Sequence, residues 1–176
     1  MRSLMFIDID RLPQEGLKVS KDFDFLSVDL VEESAVLLEP VRAEVTVRKV
    51  SDEILIKGRL TVRLTFACSR CLTPYEYPVD SCFDLVYLPE EMDLVKEELD
   101  EEDISRMFYN NRQIDLKSVV LEQINLTFPP KPLCSPNCEG ICAVCGKLRR
   151  HGRCDCADRV SGAPVQKLKI QLRDKK

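Results

Sequence analysis

Nine cysteines constrain the fold of this 176-residue chain more than any other feature of its sequence. Eight of them occur in pairs at short spacings, Cys68-x2-Cys71, Cys134-x3-Cys138, Cys142-x2-Cys145 and Cys154-x-Cys156. Two thiolates on one tight turn can bind a single metal ion, and zinc in structural sites takes four such ligands. The paired thiols are therefore enough for two four-sulfur Zn²⁺ sites, with Cys82 left over.

The rest of the sequence favours metal over disulfides. The first ten residues reach acidic side chains after only a few apolar ones, which is not typical of a signal peptide. No apolar run approaches the ~18 residues of a membrane span. We therefore expect a cytoplasmic protein that does not contact membranes. Reducing conditions there, together with an odd number of cysteines, argue against a disulfide framework.

The sharpest local metal signal is Cys142-Ala-Val-Cys145-Gly146. Its glycine permits the left-handed backbone that a tight metal-binding turn requires. Cys154 and Cys156 follow after a short loop and can supply two more sulfurs. These four cysteines predict a self-contained site in the C-terminal segment.

The remaining paired cysteines predict the second site, formed by Cys68, Cys71, Cys134 and Cys138. It would fasten the C-terminal segment to the middle of the chain, which restricts the unfolded chain. An alternative joins the mid-chain pair to Cys154 and Cys156, and the spacing leaves it open. Both arrangements give closed shells without a position for substrate, so we expect both zinc ions to be structural.

Three further observations concern the single histidine, the unpaired cysteine and one spacing within the cysteine cluster. His151, the single histidine, could replace one thiolate, but we expect it exposed in a basic loop because the cysteines already fill two sites. Cys82 is expected to be a small packed thiol. The spacing Cys138-x3-Cys142-x2-Cys145 also matches that of iron–sulfur radical enzymes, but only 31 residues follow it, too few for their barrel.

Alternating apolar residues predict a sheet ahead of the cysteine cluster. An opening strand covers Phe6–Ile9, and period-2 patterns run through Val41–Val47 and Ile54–Phe66, the second with a bulge at Gly58. The chain returns through 75–87, which places the first cysteine pair on a β-hairpin turn. Short connections indicate an antiparallel meander, with a barrel-like curl as a variant.

One helix is predicted to cover this sheet. Asp115 can cap a helix over about 115–127, and the prolines that follow Phe128 stop it. A short amphipathic helix is expected to start near Pro164. The fold class is therefore α+β, with a sheet-plus-helix domain at 1–130 and a cysteine-rich zinc module with a basic tail at 131–176, packed back on the 68–71 hairpin.

Charge is divided unevenly along the chain. Residues 131–176 carry eleven Lys or Arg against four Asp or Glu, although the whole chain has a net charge of −4. Such a basic end can meet phosphate. Residues 90–103 hold nine acidic residues and are expected to form a solvated loop or short helix. A docking surface for basic proteins is the other interpretation.

The order of these motifs resembles that of a known family. The elements of the resemblance are Cys68-Ser-Arg-Cys71-Leu after a long strand pair, a helix ending in Phe128-Pro-Pro-Lys-Pro-Leu-Cys134, and Cys138-Glu-Gly-Ile-Cys142-Ala-Val-Cys145-Gly followed by Cys154-Asp-Cys156. Over nearly its whole length the chain is similar to the YceD family of bacterial and plastid large-ribosomal-RNA-subunit accumulation proteins. The resemblance implies a non-enzymatic role in producing or maintaining 23S ribosomal RNA.

Basic residues near the predicted metal sites fit that role. The candidates for RNA contact are Arg70, Lys147, Arg149, Arg150 and Arg153. Closed zinc modules can present such side chains rigidly to a phosphate backbone. The expected partner is 23S ribosomal RNA or its precursor, and no small-molecule substrate is expected. The alternative is an adaptor that holds a ribosomal protein or assembly factor through residues 90–103 and the sheet surface.

Overall fold

The computed structural model describes residues 5–90 and 106–149 together with Gly152, Cys154 and Cys156. Eight strands and one α-helix make up this part of the chain. The elements are β1 (Phe6–Asp8), β2 (Leu17–Phe23), β3 (Val36–Leu37), β4 (Val41–Val50), β5 (Glu53–Ala67), β6 (Pro74–Pro89), β7 (Arg106–Tyr109), β8 (Gln113–Asp115) and α1 (Leu116–Leu126), with 3-10 turns at Ile9–Arg11 and Ser27–Asp29.

The main sheet has the strand order β2-β4-β5-β6-β7. β3 pairs with Leu64 and Thr65 of β5, past the point where β5 pairs with the first residues of β4. β2, β4, β5 and β6 are antiparallel neighbours, as the meander prediction required. β7 is parallel to β6, so an all-antiparallel sheet was wrong. A parallel neighbour needs a crossover of a dozen or more residues, and the stretch between Pro89 and Arg106 has that length. The described strands form an open path rather than a closed barrel.

The predicted bulge at Gly58 is wrong as well. β5 is continuous, with Gly58 in register between Val45 and Phe83. A Cβ at this glycine would lie 2.4 Å from Cζ of Phe83. Gly58 therefore leaves room for the phenyl ring of the next strand without interrupting the ladder.

Helix α1 confirms the helix predicted over 115–127. The side chain of Asp115 accepts a hydrogen bond from the backbone N–H of Lys117, which satisfies one of the free donors of the first turn. Leu116, Val120 and Ile124 are fully buried and belong to the same core as the inner face of the sheet. The helix thus covers that face.

The buried core runs from Ile7 to Ile124 and does not include the cysteine pairs. The ring of Phe128 packs edge-on against Phe66 with centroids 5.1 Å apart, which directs the chain from the helix toward the end of β5. The division at residue 130 stays a prediction. None of the helices described in the structure could span a membrane.

Several predictions fall outside the described residues. They concern residues 91–103 of the acidic stretch, the short helix from Pro164, His151, Arg150 and Arg153.

Cys82 can be placed, and the prediction of a packed thiol is wrong. Cys82 is exposed on the outer face of β6 opposite Arg59, because its neighbour Phe83 takes the inward position.

Candidate metal centres

The first cysteine pair lies on the turn that connects β5 to β6. Cys68 directly follows Ala67, the last residue of β5, and its backbone N–H donates to the carbonyl of Thr73 at 3.0 Å. Leu72 closes the turn with a positive φ of 60° and donates to the carbonyl of Cys68. Both thiols are buried, with Cys68 at 0% and Cys71 at 5% exposure. The long strand pair thereby holds two sulfurs in place.

Two cysteines from the C-terminal segment join this pair. The sulfurs of Cys68 and Cys138 lie 3.7 Å apart, and those of Cys71 and Cys134 lie 3.6 Å apart. All four sulfurs lie within 4.8 Å of one another. The chain thus brings together residues up to 70 positions apart in sequence.

Hydrogen bonds that involve no sulfur hold the two segments together. The backbone N–H of Ser69 donates to the carbonyl of Pro132 at 2.8 Å, and the N–H of Ile141 donates to the carbonyl of Arg70 at 3.2 Å. The guanidinium of Arg70 donates to the carbonyl of Cys138 at 2.9 Å. The C-terminal segment is therefore docked on the turn by the backbone as well as by the thiols.

The thiols of this group differ in pKa. Burial raises the pKa of Cys68, but donation from the backbone of Cys134, Arg70 and Cys71 outweighs it and brings the pKa to about 6. The hydroxyl and the amide of Thr73 lower the pKa of Cys71. The Cys71 thiol in turn raises the pKa of Cys134 to about 12. Four sulfurs at this separation cannot all ionise unless a cation balances their charge.

The second group is local to the C-terminal segment and comprises Cys142, Cys145, Cys154 and Cys156, whose sulfurs also lie within 4.8 Å of one another. Ile141 and Leu148 form an antiparallel bridge, and Cys142 donates from its N–H to the carbonyl of Lys147 at 2.9 Å. Gly146 has a φ of +71°, the left-handed conformation that its position predicted.

The thiols of the second group are more accessible than those of the first. Cys142 is buried, Cys154 and Cys156 are half-buried, and Cys145 is exposed. The amides of Cys145 and Val144 donate to the Cys142 sulfur and lower its pKa to about 6. The Cys145 thiol raises the pKa of Cys156 to about 12. Like the first group, the second therefore contains both a thiol with a lowered pKa and a thiol with a raised pKa, but its thiols are less buried.

The donor set and its spacing fit a thiophilic divalent cation. A Zn–S distance of about 2.3 Å in a tetrahedron places sulfurs about 3.8 Å apart, close to the two separations in the first group. A disulfide would require about 2.05 Å, and all nine cysteines are free thiols. Each group can hold one metal ion, and the groups are the two that the spacing predicted. The alternative that joined the mid-chain pair to Cys154 and Cys156 does not occur.

Three of the five predicted RNA-contacting residues are described, and all three are exposed. They are Arg70, Lys147 and Arg149. The backbone N–H of Arg149 donates to the carbonyl of Gly140 at 3.0 Å, which places it beside the segment between the two groups. Arg70 differs from the other two because its guanidinium already binds the carbonyl of Cys138.

Sequence reasoning missed two residues of the site. Thr73 supports the thiolate of Cys71, and only its position two residues after a CxxC motif could have suggested it. Gly140 lies where the two groups meet, with a φ of +74°, and a Cβ there would lie 2.9 Å from the carbonyl oxygen of Arg70. Both roles depend on contacts across the docked segments, which the sequence does not reveal.

A cavity of about 620 Å³ opens beside the first group. Its lining includes sulfur-bearing residues of the first group and four polar or charged residues, Ser135, Asn137, Glu139 and Arg149. The cavity therefore combines uncharged, acidic and basic groups in one concave surface.

Comparisons with known proteins agree with the motifs. A family model described as "Large ribosomal RNA subunit accumulation protein YceD" matches residues 56–169. An uncharacterised protein of Mycobacterium tuberculosis is 28% identical over 104 residues, covering 58% of this chain and 48% of the relative. A maize protein named "Large ribosomal RNA subunit accumulation protein YCED homolog 1, chloroplastic" is 23% identical over 145 residues, covering 68% and 50%.

The chain spans about half the length of the curated relatives it matches. No solved structure matches it. The family match extends over more than half of the chain, from the second long strand through both cysteine groups. The chain therefore belongs to the YceD family, whose name links it to accumulation of large-subunit ribosomal RNA.

Proposed function

We propose that this protein supports accumulation of large-subunit ribosomal RNA by binding 23S RNA or its precursor through a basic surface that two zinc ions stabilise. In this proposal it acts in the cytoplasm and is not an enzyme. The observation that carries the proposal is the pair of four-cysteine groups next to exposed Arg70, Lys147 and Arg149.

Zinc would be held by Cys68, Cys71, Cys134 and Cys138 in one site and by Cys142, Cys145, Cys154 and Cys156 in the other. Bound zinc supplies a structural cross-link and no reaction step. The backbone donors to Cys68 and Cys142 support this assignment because they stabilise the thiolate form that zinc requires.

The basic side chains of the module would neutralise phosphate groups. Lys147 and Arg149 are both exposed, and neither side chain has a hydrogen bond or ion pair with another residue of the described ranges. Arg70 would contribute mainly by holding the segment, since it already binds Cys138. Arg150 and Arg153 complete the proposed surface by their positions in the sequence.

Binding of 23S fragments across a salt titration tests the proposal. Combining Lys147→Glu with Arg149→Glu should lower affinity about tenfold or more at 0.1 M salt and flatten the salt slope by about 2, one unit for each lost phosphate contact. The matched control combines Lys18→Glu with Lys49→Glu. Both control residues are exposed. Lys49 pairs with Ile54 of β5, and Lys18 pairs with Thr46 of β4, whose partner on β5 is Lys57. Both therefore lie level with positions ten or more residues along β5 from the cysteine turn, about 33 Å or more.

Unchanged RNA affinity of the double variant at low salt would overturn the proposed surface. A weak salt slope combined with co-purification of a basic protein, lost when residues 90–103 are deleted, would favour the adaptor instead.

Native mass spectrometry tests the metal assignment separately. We expect two zinc ions per chain, and a folded, metal-free protein would contradict it.

A further inference from the structure

The cavity beside the first cysteine group presents an unusual set of polar groups. Ser135, Asn137, Glu139 and Arg149 line it, and all four are exposed. None of their side chains has a hydrogen bond or ion pair with another residue of the described ranges. Together they offer a hydroxyl, an amide, a carboxylate and a guanidinium, and so both donate and accept hydrogen bonds.

Short hydrogen bonds hold the backbone that carries these side chains. The N–H of Cys138 donates to the carbonyl of Ser135 at 3.0 Å, which closes a turn around Asn137. Gly140 is buried, and its carbonyl accepts from Arg149 at 3.0 Å. The guanidinium of Arg70 also donates to the carbonyl of Cys138. The four residues therefore lie on a backbone that the docked segments hold in place.

The charges around the cavity favour a base over a run of phosphates. Glu139 is acidic, and the Cys134 and Cys138 sulfurs beside it would belong to a site with four thiolates and a formal charge of −2. Arg149 is the one described cation in the lining, enough to pair with a single phosphate. At about 620 Å³ the cavity has room for one nucleotide.

We propose that this cavity binds one unpaired nucleotide of ribosomal RNA and prefers guanine. Unpaired bases expose their Watson–Crick edge, which is where proteins read RNA sequence. Guanine has two adjacent N–H donors on that edge, and the carboxylate of Glu139 can accept both. Asn137 and Ser135 can bond the remaining polar atoms, and Arg149 pairs with the phosphate. This inference rests on the proposed RNA-binding function.

Fluorescence anisotropy with the full zinc-loaded chain tests it. The probes are 12-nucleotide uridine strands with one central guanine, adenine or cytosine, the all-uridine strand, and a duplex that contains the guanine strand. We expect the single strand with guanine to bind at least fivefold more tightly than the other single strands and at least tenfold more tightly than the duplex.

Substitutions in the cavity distinguish recognition of the base from binding of the phosphate. Glu139→Gln should remove most of the guanine preference, and Asn137→Ala should reduce it, with little change in salt slope. Arg149→Ala should weaken all four single strands alike and flatten the slope by about 1. Glu15→Gln is the control, since Glu15 is exposed before β2, at the end of the strand remote from the turn. Zinc content, measured for each variant, should stay at two.

Equal affinity for single strand and duplex, or a guanine preference that survives Glu139→Gln, would overturn the cavity assignment and leave RNA binding intact. No binding of any RNA by the wild-type chain at low salt would instead remove the proposed function itself.

Discussion

Both cysteine groups offer four thiols, but they differ in how far apart in the sequence their members lie. The first joins the β5–β6 turn to residues 63 to 70 positions later, and two of its thiols are buried. The second closes a short segment, and Cys145 is exposed. The difference indicates two roles for one chemistry. The first group attaches the C-terminal segment to the sheet, whereas the second shapes that segment.

The largest expected effect is on the free energy of unfolding, and it should differ between a substitution in the first group and one in the second. Cys68→Ser should undock residues 132–141 and lower the free energy of unfolding by several kcal/mol, since a structural zinc site contributes on the order of 10 kcal/mol of binding free energy. Cys142→Ser should change sheet stability by less than about 1 kcal/mol, because Cys142 and its three partners all lie in the C-terminal segment, whereas Cys68 directly follows β5. Urea unfolding followed by a sheet signal measures both. Equal losses would show that the groups are not independent.

A kinetic difference should follow from accessibility. A chelator added to the zinc-loaded protein should remove the second ion at least tenfold faster than the first, because buried thiols protect the first site from attack. Alkylation with mass-spectrometric mapping should find Cys145 modified before Cys68 and Cys71. Cys82 is exposed and outside both groups, so it serves as the internal standard for a freely reacting thiol.

A smaller effect should come from the junction between the groups. Gly140→Ala adds a methyl group 2.9 Å from the carbonyl of Arg70, at a φ of +74° that side chains rarely adopt. We expect a loss of about 1–3 kcal/mol in docking of the segment, measured by hydrogen exchange at Ile141. Gly152→Ala is the control, because its φ is also positive but no atom of the described residues lies within 4 Å of the added Cβ. Matching losses in the two variants would attribute the effect to backbone strain alone.

The smallest effect should be that of mild acid on the sheet. Hydrogen bonding to Arg63 lowers the pKa of Glu39, and hydrogen bonding to Arg59 lowers that of Asp80. A lowered folded pKa gives stability that is present above the unfolded pKa and is lost as the pH falls through the folded one. Between pH 7 and 5 these exposed pairs should therefore contribute unchanged, while protons already compete with zinc for the thiolates. Circular dichroism of the sheet and release of zinc, recorded on the same sample between pH 7 and 5, compare the acid sensitivity of the ion pairs with that of the metal sites.

Local patterns predicted much of the fold. Alternation predicted the inward faces of β4 and β5, Asp115 predicted the start of α1, and short spacings predicted the four cysteine pairs. These features depend on neighbours in sequence, and periodicity reports them directly.

Most of the predictions that were wrong or missing concern contacts between segments that are distant in the sequence. Gly58 looked like a bulge because nothing in the sequence places the ring of Phe83 over it. The parallel partner of β6 comes from beyond a long connection. Cys82 could have been placed correctly, since it alternates with Phe83 and must face outward. The polar lining of the cavity, including Asn137, required the docking of one segment on another.

The reach of the first group also sets an order of events during synthesis. Cys68 and Cys71 are translated 63 to 70 residues before their partners. At about 5–20 residues per second, the interval is roughly 3 to 14 s. During that time the β5–β6 hairpin can form, but its two thiols have no partners. The early pair therefore remains half of a site until Cys134 and Cys138, in the last quarter of the sequence, have been made.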